Sequence, residues 1–258
     1  MNPTIYSDSL HDDFTLKVAD NIYINKNYEK VIWTTIAESD LKKTGEYVYS
    51  DLGFMMLRKI VEIITNQDFE SYLQNSFYVP LNLSSMVFNP LKTINNDWIV
   101  PTEIDSVYRK QMIKGYVHDP GSAMLGGVSG HAGLFANAND VAIIMQMLLN
   151  KGFYGNNHVL KASTIETFTN KFSKNSRRGL GFDKPETNPL KDSPTSKMCS
   201  EKTFGHQGFT GTCTWVDTEN ELVYVFLSNR IFPTAENKKF GELSVRTKVQ
   251  DAIYEGLK

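Results

Sequence analysis

Cysteine is scarce in this sequence, with only Cys199 and Cys213 among 258 residues. Two cysteines exclude a disulfide framework and a cysteine-rich zinc site. No apolar run approaches the roughly eighteen residues that a membrane-spanning helix needs, so no membrane span is expected. The first twenty residues carry acidic side chains where a signal peptide needs an apolar stretch, so we expect no export signal within them.

An excess of charge of one sign is also missing, since 27 basic and 29 acidic residues give a net charge of −2. This balance provides no electrostatic reason to bind nucleic acid or an anionic membrane, and neither is expected as a partner. The histidines and acidic residues do not show the sequence spacing of metal ligands, so we predict no metal and no other cofactor. With 41% apolar residues, the chain is long enough to bury a substantial core.

Helical periodicity dominates the first two thirds of the chain. The pattern predicts amphipathic helices with their ends marked by Gly, Pro or capping residues, at Lys30–Leu41, Gly53–Ile64, Asp68–Pro80, Asn139–Gly152 and Ser163–Phe168. In the second of these, Met56, Ile60, Val61 and Ile64 are predicted to form the buried stripe. The stretch from Asn82 to Ser122 is rich in proline and is predicted to be irregular.

The last third changes to a strand pattern. Thr212–Val216 and Leu222–Ser228 are β-rich and are joined by a short polar turn, which predicts a hairpin. The second strand is almost entirely apolar and should be covered on both faces, and Ser244–Leu257 is predicted to be a terminal helix. We therefore predict an α+β fold, with a mainly helical part at residues 1–172 and a hairpin or sheet part with the last helix at residues 173–258.

Three short strings carry chemically useful residues: Tyr49-Ser50-Asp51, the glycine-rich run ending in Gly130-His131-Ala132-Gly133, and Gly205-His206-Gln207-Gly208-Phe209-Thr210-Gly211. Each string has an ordinary structural explanation when it is taken alone. A tyrosine before a helix usually packs, Asp51 has the place of an N-cap, and a histidine between glycines is usually a turn residue. We interpret His131 as structural.

Taken together and in this order, the strings resemble those of the serine β-lactamase and penicillin-binding-protein-like superfamily, most of all its class C-like, esterase-type hydrolases. The resemblance extends over roughly residues 20 to 258. It implies a helical subdomain beside an antiparallel sheet flanked by helices. It also implies acyl transfer from a serine in a Ser-x-x-Lys motif at the start of a helix.

The resemblance assigns roles to individual residues. Tyr49 takes the place of the proton-shuttling tyrosine, Asp51 stands where asparagine is usual, and His206-Gln207-Gly208 replaces Lys-Thr-Gly. The backbone N–H of Phe209 is then the expected oxyanion donor. The implied substrate is a small ester or amide or a peptide derived from peptidoglycan, and the implied location of the full-length protein is outside the cytoplasm.

Two departures from the family pattern affect the expected specificity. Aspartate at position 51 cannot donate a hydrogen bond as asparagine does. Histidine at position 206 is a weaker and more pH-dependent cation than lysine. Both changes argue against an efficient β-lactamase and favour an esterase-like or peptidase-like relative.

The nucleophile is the largest departure. The one Ser-x-x-Lys string, at Ser39–Lys42, lies at the predicted C-terminal end of a helix, where the dipole disfavours an oxyanion. We therefore expect a family member that lacks its N-terminal portion, with an incomplete sheet and little or no activity. A segment supplied in trans, or a homodimer paired through the edge of Leu222–Ser228, would be its partner.

Two other functions are consistent with these residues. One is a non-catalytic accessory module that binds a glycan or peptide in the remaining cleft. The other is a hydrolase that uses His206 with a loop serine, Ser122 or Ser129, although neither serine lies in a nucleophile elbow.

Overall fold

The computed structural model describes residues 1–257, which form two compact units. The first unit comprises Met1–Asn75, Ser85–Phe135 and Phe232–Thr234. The second comprises Ser76–Ser84, Ala136–Ile231 and the chain from Ala235 onward.

Eight α-helices are present in the described residues, and none of them is long and apolar enough to cross a bilayer. They are α1 (Tyr28–Ala37), α2 (Leu52–Thr65), α3 (Phe69–Leu73), α4 (Pro120–Met124), α5 (Ala138–Leu149), α6 (Ala162–Thr169), α7 (Lys239–Glu242) and α8 (Val245–Gly256). A π-helical turn, Gln74–Tyr78, continues α3.

The strands pair only in antiparallel fashion among the described residues, in two three-stranded sheets and three two-stranded ones. The strands are β1 (Tyr6–Ser7), β2 (Phe14–Ala19), β3 (Ile22–Asn25), β4 (Val87–Phe88), β5 (Pro101–Asp105), β6 (Gln111–Lys114), β7 (Leu134–Phe135), β8 (Phe153–Tyr154), β9 (Asn157–His158), β10 (Phe204–Gln207), β11 (Cys213–Asp217) and β12 (Leu222–Phe226). The larger sheets have the orders β1-β3-β2 and β10-β11-β12.

The core of the first unit lies on a sheet that the sequence analysis missed. Buried residues of β2 and β3 pack with Val117 and Ala123. The ladder between β2 and β3 contains two register shifts, which interrupt the two-residue alternation that would reveal a strand. The hairpin of β5 and β6 also corrects the prediction that residues 82–122 are irregular throughout.

Helices α1 and α2 correct two further predictions. Helix α1 ends at Ala37, before the predicted end at Leu41, so Lys42 and Lys43 are not in its last turn. Helix α2 spans the predicted segment, but its predicted buried stripe is exposed, with Met56, Ile60 and Ile64 at 47%, 43% and 77% exposure. The one buried residue of α2 is Met55. The apolar periodicity predicts the helix correctly but does not predict which of its faces is buried.

The second unit is built on the sheet of β10, β11 and β12. Helix α5 packs on β11 and β12, contributing Met145 and Leu148 to a core with Val216. The opposite face buries Trp215 and Tyr224, with Ile253 of α8 packed against them. The apolar strand β12 is therefore covered on both faces, as predicted, and it is an outer strand that pairs with β11. Helix α5 begins after Asn137, whose side chain accepts from the Asp140 amide, rather than after Asn139.

Asp217 at the end of β11 is a buried carboxylate that joins several elements of this unit. It accepts hydrogen bonds from the Ser200 hydroxyl at 2.6 Å, from Asn220 at 2.8 Å and from the Tyr254 hydroxyl of α8 at 2.7 Å. Burial acts to raise the pKa of Asp217, but these hydrogen bonds outweigh it and hold the pKa well below its usual range.

Replacement of this carboxylate should destabilise the second unit. In Asp217→Asn, two acceptor oxygens become one, and we expect a loss of about 3 kcal/mol in the free energy of unfolding at pH 7, measured by urea denaturation. Because the folded pKa is lowered, the carboxylate's contribution is present above the unfolded pKa of about 3.9 and is lost as the pH falls below it. The difference in the free energy of unfolding between Asp217→Asn and the wild type should therefore become smaller below about pH 4.

The matched control is Glu219→Gln, which removes an exposed carboxylate from the same turn. Its ion pair with Lys202 is solvent-exposed, so the expected change is below about 1 kcal/mol. Equal effects of the two substitutions would contradict the role assigned to Asp217.

Candidate active site

The tyrosine element, Tyr49–Asp51, lies in the first unit immediately before α2. Tyr49 is 59% exposed, and Asp51 occupies the N-cap position of α2 without forming a side-chain capping bond. The Ser50 hydroxyl accepts from the Leu52 amide at 3.3 Å. The N-cap position predicted for Asp51 is confirmed, but its carboxylate is not used to cap the helix.

A glycine loop, Gly126–Gly133, packs against the start of α2. A Cβ at Gly130 would collide with the Phe54 carbonyl oxygen, so the two backbones approach too closely for any other residue. Glycine at this position therefore brings the loop, and His131 beside it, next to the tyrosine element.

The side chain of His131 is only 5% exposed and lies between two partners. Its Nδ1 lies 2.9 Å from the Ser129 hydroxyl, and its Nε2 lies 2.7 Å from Oδ1 of Asp119. Burial acts to raise the pKa of Asp119, but the hydrogen bonds from His131 and from the Ser122 amide lower it below its usual value. The bonds support the structural interpretation of His131. The buried Ser122 and Ser129 are poorly exposed for a nucleophile.

Asp51 joins this pair to form a cluster that the sequence analysis did not foresee. One carboxylate oxygen of Asp51, one of Asp119 and a ring nitrogen of His131 all lie within 4.8 Å of one another. Two carboxylates and an imidazole are donors that divalent metals accept, but the Asp119–His131 ion pair also accounts for their proximity. The three residues are far apart in sequence, so no local spacing could have revealed the cluster.

The histidine element, His206–Gly208, lies in the second unit at the end of β10, an outer strand of its sheet. A Cβ at Gly205 would collide with the Thr214 carbonyl of β11, so glycine is required where the strands pair. The Gly208 amide donates to the Thr212 carbonyl at 2.8 Å and closes the turn into β11. This amide is therefore already engaged, and Phe209 remains the expected oxyanion donor.

The side chains of Gln207 and Phe209 have structural contacts of their own. The Gln207 amide donates to the Pro194 carbonyl at 2.7 Å and lines a cavity of about 130 Å³. Arg230 donates to the Phe209 carbonyl at 2.7 Å, with its guanidinium 4.7 Å from the ring centroid. The Gln207 side chain is therefore engaged within the protein, while the Phe209 ring stays exposed beside Arg230.

His206 is half-buried and has a partner at each ring nitrogen. Arg178 Nη1 lies 2.7 Å from Nε2, and the Gln207 carbonyl lies 2.8 Å from Nδ1. Burial lowers the pKa of His206 below its usual value, and the charge of Arg178 acts in the same direction.

Ser39 lies just beyond the C-terminal end of α1, whereas the sequence predicts it in the last turns of a helix that continues to Leu41. Its hydroxyl donates to the Ile36 carbonyl at 2.7 Å, among the orphan carbonyls at the negative end of the helix. The Ser-x-x-Lys string at this position therefore lacks the electrostatic setting of an acylated serine.

Comparison with known proteins gives a family and several relatives for this chain. The family described as Beta-lactamase matches residues 11–243. An Escherichia coli (strain K12) protein named "Putative D-alanyl-D-alanine carboxypeptidase" is 36% identical over 235 residues, covering 83% of this chain and 54% of that protein. The chain thus spans about half the length of the curated relatives it matches.

Solved structures show the same fold at lower sequence identity. A beta-lactamase from Mycobacterium bovis has a TM-score of 0.55 at 20% identity, covering 82% of this chain and 64% of its own. EstCE1, a hydrolase with promiscuous acyltransferase activity, has a TM-score of 0.56 at 18% identity, covering 84% of this chain and 59% of its own. Together with the match over residues 11–243, these similarities confirm the resemblance and the α+β fold: the chain belongs to the beta-lactamase family.

Proposed function

We propose that this chain carries part of an acyl-transfer site that acts on a peptide ending in D-alanine. The observation that carries the proposal is the 36% identity, over 83% of the chain, to the protein named "Putative D-alanyl-D-alanine carboxypeptidase". The tyrosine element before α2 and the histidine element on the outer strand β10 support the proposal, because the family's chemistry uses residues at these positions.

Each element has a proposed role. Tyr49 transfers the proton between nucleophile and leaving group, as its exposure permits. Asp51 faces the Asp119–His131 pair and holds the tyrosine element in place. His206 contacts the substrate, with Gln207 and Gly208 forming its backbone edge and the Phe209 N–H stabilising the oxyanion.

The nucleophile is proposed to come from outside these 258 residues. Ser39 lies at the wrong end of its helix, and Ser122 and Ser129 are buried. The exposed apolar side chains of α2, next to Asp51, offer a surface against which a further polypeptide segment can pack. The proposal then accounts both for the family's acyl-transfer chemistry and for the unsuitable positions of Ser39, Ser122 and Ser129.

An acylating probe tests the assignment of the nucleophile. We expect neither a fluorophosphonate nor a fluorescent penicillin to modify the 258-residue chain, as measured by intact mass spectrometry, because Ser39 lies at the negative end of its helix and Ser122 and Ser129 are buried. The matched control is Ser39→Ala, which should behave identically. Labelling of the wild-type chain that disappears in Ser39→Ala would contradict the proposal and make Ser39 the nucleophile.

Ligand stabilisation tests the substrate class and separates it from the alternative of a glycan-binding module. N-acetyl-D-alanyl-D-alanine at about ten times its Kd should add about 1.4 kcal/mol to the free energy of unfolding and raise Tm by a few degrees. N-acetylglucosamine oligomers should leave Tm unchanged in the same thermal-shift assay. Stabilisation by the glycans and not by the peptide would favour the accessory module.

A further inference from the structure

We propose that Arg246, which lies outside all of the sequence strings, is a positioning residue for the oxyanion donor. Its guanidinium orients and polarises the peptide group between Gly208 and Phe209, whose N–H is the expected donor. The inference rests on the proposed function, because that function gives the Phe209 N–H its role. It gives helix α8 a part in the site.

Arg246 holds the turn that follows the histidine element. Its Nη1 carries two N–H groups and lies 3.2 Å from the Gly208 carbonyl oxygen and 3.0 Å from the Thr212 carbonyl oxygen. One side chain therefore binds both ends of the turn. The Gly211 amide also donates to the Gly208 carbonyl, at 3.2 Å. The Gly208 carbonyl thus has two donors that fix its direction.

The direction of the Gly208 carbonyl determines the direction of the Phe209 N–H. The two groups belong to one planar trans peptide, so they point in opposite directions. A carbonyl turned toward Arg246 therefore turns the Phe209 N–H away from that guanidinium. The hydrogen bonds of the turn fix the orientation of the donor before a ligand arrives.

The side chain of His206 lies on the face of the sheet opposite α8. Phe204, two residues earlier on β10, packs in the core that contains residues of α5, whereas Gln207 lines a cavity together with Arg246. Alternate residues of a strand share a face, so His206 projects on the same side as Phe204. His206 and the Phe209 N–H are thus both turned away from Arg246, as a ligand that contacts both requires.

The charge of Arg246 strengthens the donor as well as orienting it. A hydrogen bond from a cation to a carbonyl oxygen is stronger than one from a neutral donor, and it draws electron density from the amide nitrogen. Cooperative polarisation of this kind strengthens the next hydrogen bond by about 10–30%. The Phe209 N–H is therefore a better donor to a developing oxyanion than the amide of a turn without a cation.

The start of α8 is itself fixed to the sheet beside this contact. The hydroxyl of Tyr224, a buried residue of β12, donates to the Arg246 carbonyl at 3.0 Å. The Arg246 guanidinium lies 5.6 Å from the ring centroid of Phe240 in α7. Both the backbone and the side chain of Arg246 are thus held in place, which is what a positioning residue requires.

The first test is NMR of the 258-residue protein, labelled with 13C and 15N, without ligand. In the wild type, a scalar coupling across the hydrogen bond should connect Arg246 Nη1 with the Gly208 carbonyl carbon. In Arg246→Gln, the signals of the Gly208 carbonyl carbon and the Phe209 nitrogen should shift upfield, because the carbonyl loses its charged donor. Arg246→Lys keeps a charge and should restore part of both shifts, which a purely steric role would not do.

The matched control is Arg230→Gln, which removes the neighbouring arginine. Arg230 donates to the Phe209 carbonyl, which belongs to the next peptide group. Its replacement should shift the Phe209 carbonyl carbon and the Thr210 nitrogen, and it should change the Gly208 carbonyl carbon less than Arg246→Gln does.

Titration with N-acetyl-D-alanyl-D-alanine separates this inference from the proposed function. The peptide should shift the Phe209 amide signal and bind about threefold more weakly to Arg246→Gln than to the wild type. If the wild type does not bind the peptide, the proposed function fails, and the ligand-free spectra still decide whether Arg246 orients and polarises the peptide group. Three results would overturn the inference: no coupling in the wild type, unchanged Gly208 and Phe209 signals in Arg246→Gln, or equal affinity of the two proteins for the peptide.

Discussion

The buried carboxylate of Asp183 organises the histidine element. Its backbone pairs with Gly205 on β10, and its side chain binds Arg177 and Arg178, the second of which reaches His206. Both links are needed. Without the backbone hydrogen bonds to β10, the loop would not fix the position of its arginines. Without the arginines, burial of the Asp183 carboxylate would cost free energy. The chemistry available at the end of β10 therefore depends on a loop that has no helix or regular strand of its own.

The tyrosine element depends on a different constraint, the close backbone approach at Gly130. Because only glycine fits against the Phe54 carbonyl, the glycine loop brings His131 and Asp119 to the start of α2. This also gives a physical context for aspartate at position 51, since its carboxylate faces a histidine within 4.8 Å. In each element, a glycine that allows a close backbone approach lies next to a histidine. The partner of His131 is a carboxylate, and the partner of His206 is a guanidinium.

The sequence predicted the parts of this structure that depend on local patterns. The extents of α2, α6 and α8, the hairpin of β11 and β12 and the two-sided burial of β12 follow from periodicity and turn residues. The sheet of β1, β2 and β3 was missed because register shifts break its alternation. The buried stripe of α2 was wrong because periodicity identifies an apolar face without identifying what covers it.

The candidate site likewise contains some residues that local sequence patterns reveal and others that only the fold brings together. Tyr49, Asp51 and His206 could be selected from short strings. Arg178 and Asp183 could not, since they lie in a polar loop with no pattern. Only the fold brings Arg178 to His206 and to Asp183. A crystal structure with N-acetyl-D-alanyl-D-alanine would test the account most directly. We expect the ligand to lie at the histidine element, in contact with His206 and the Phe209 N–H. A ligand bound away from His206 and Phe209 would contradict the account.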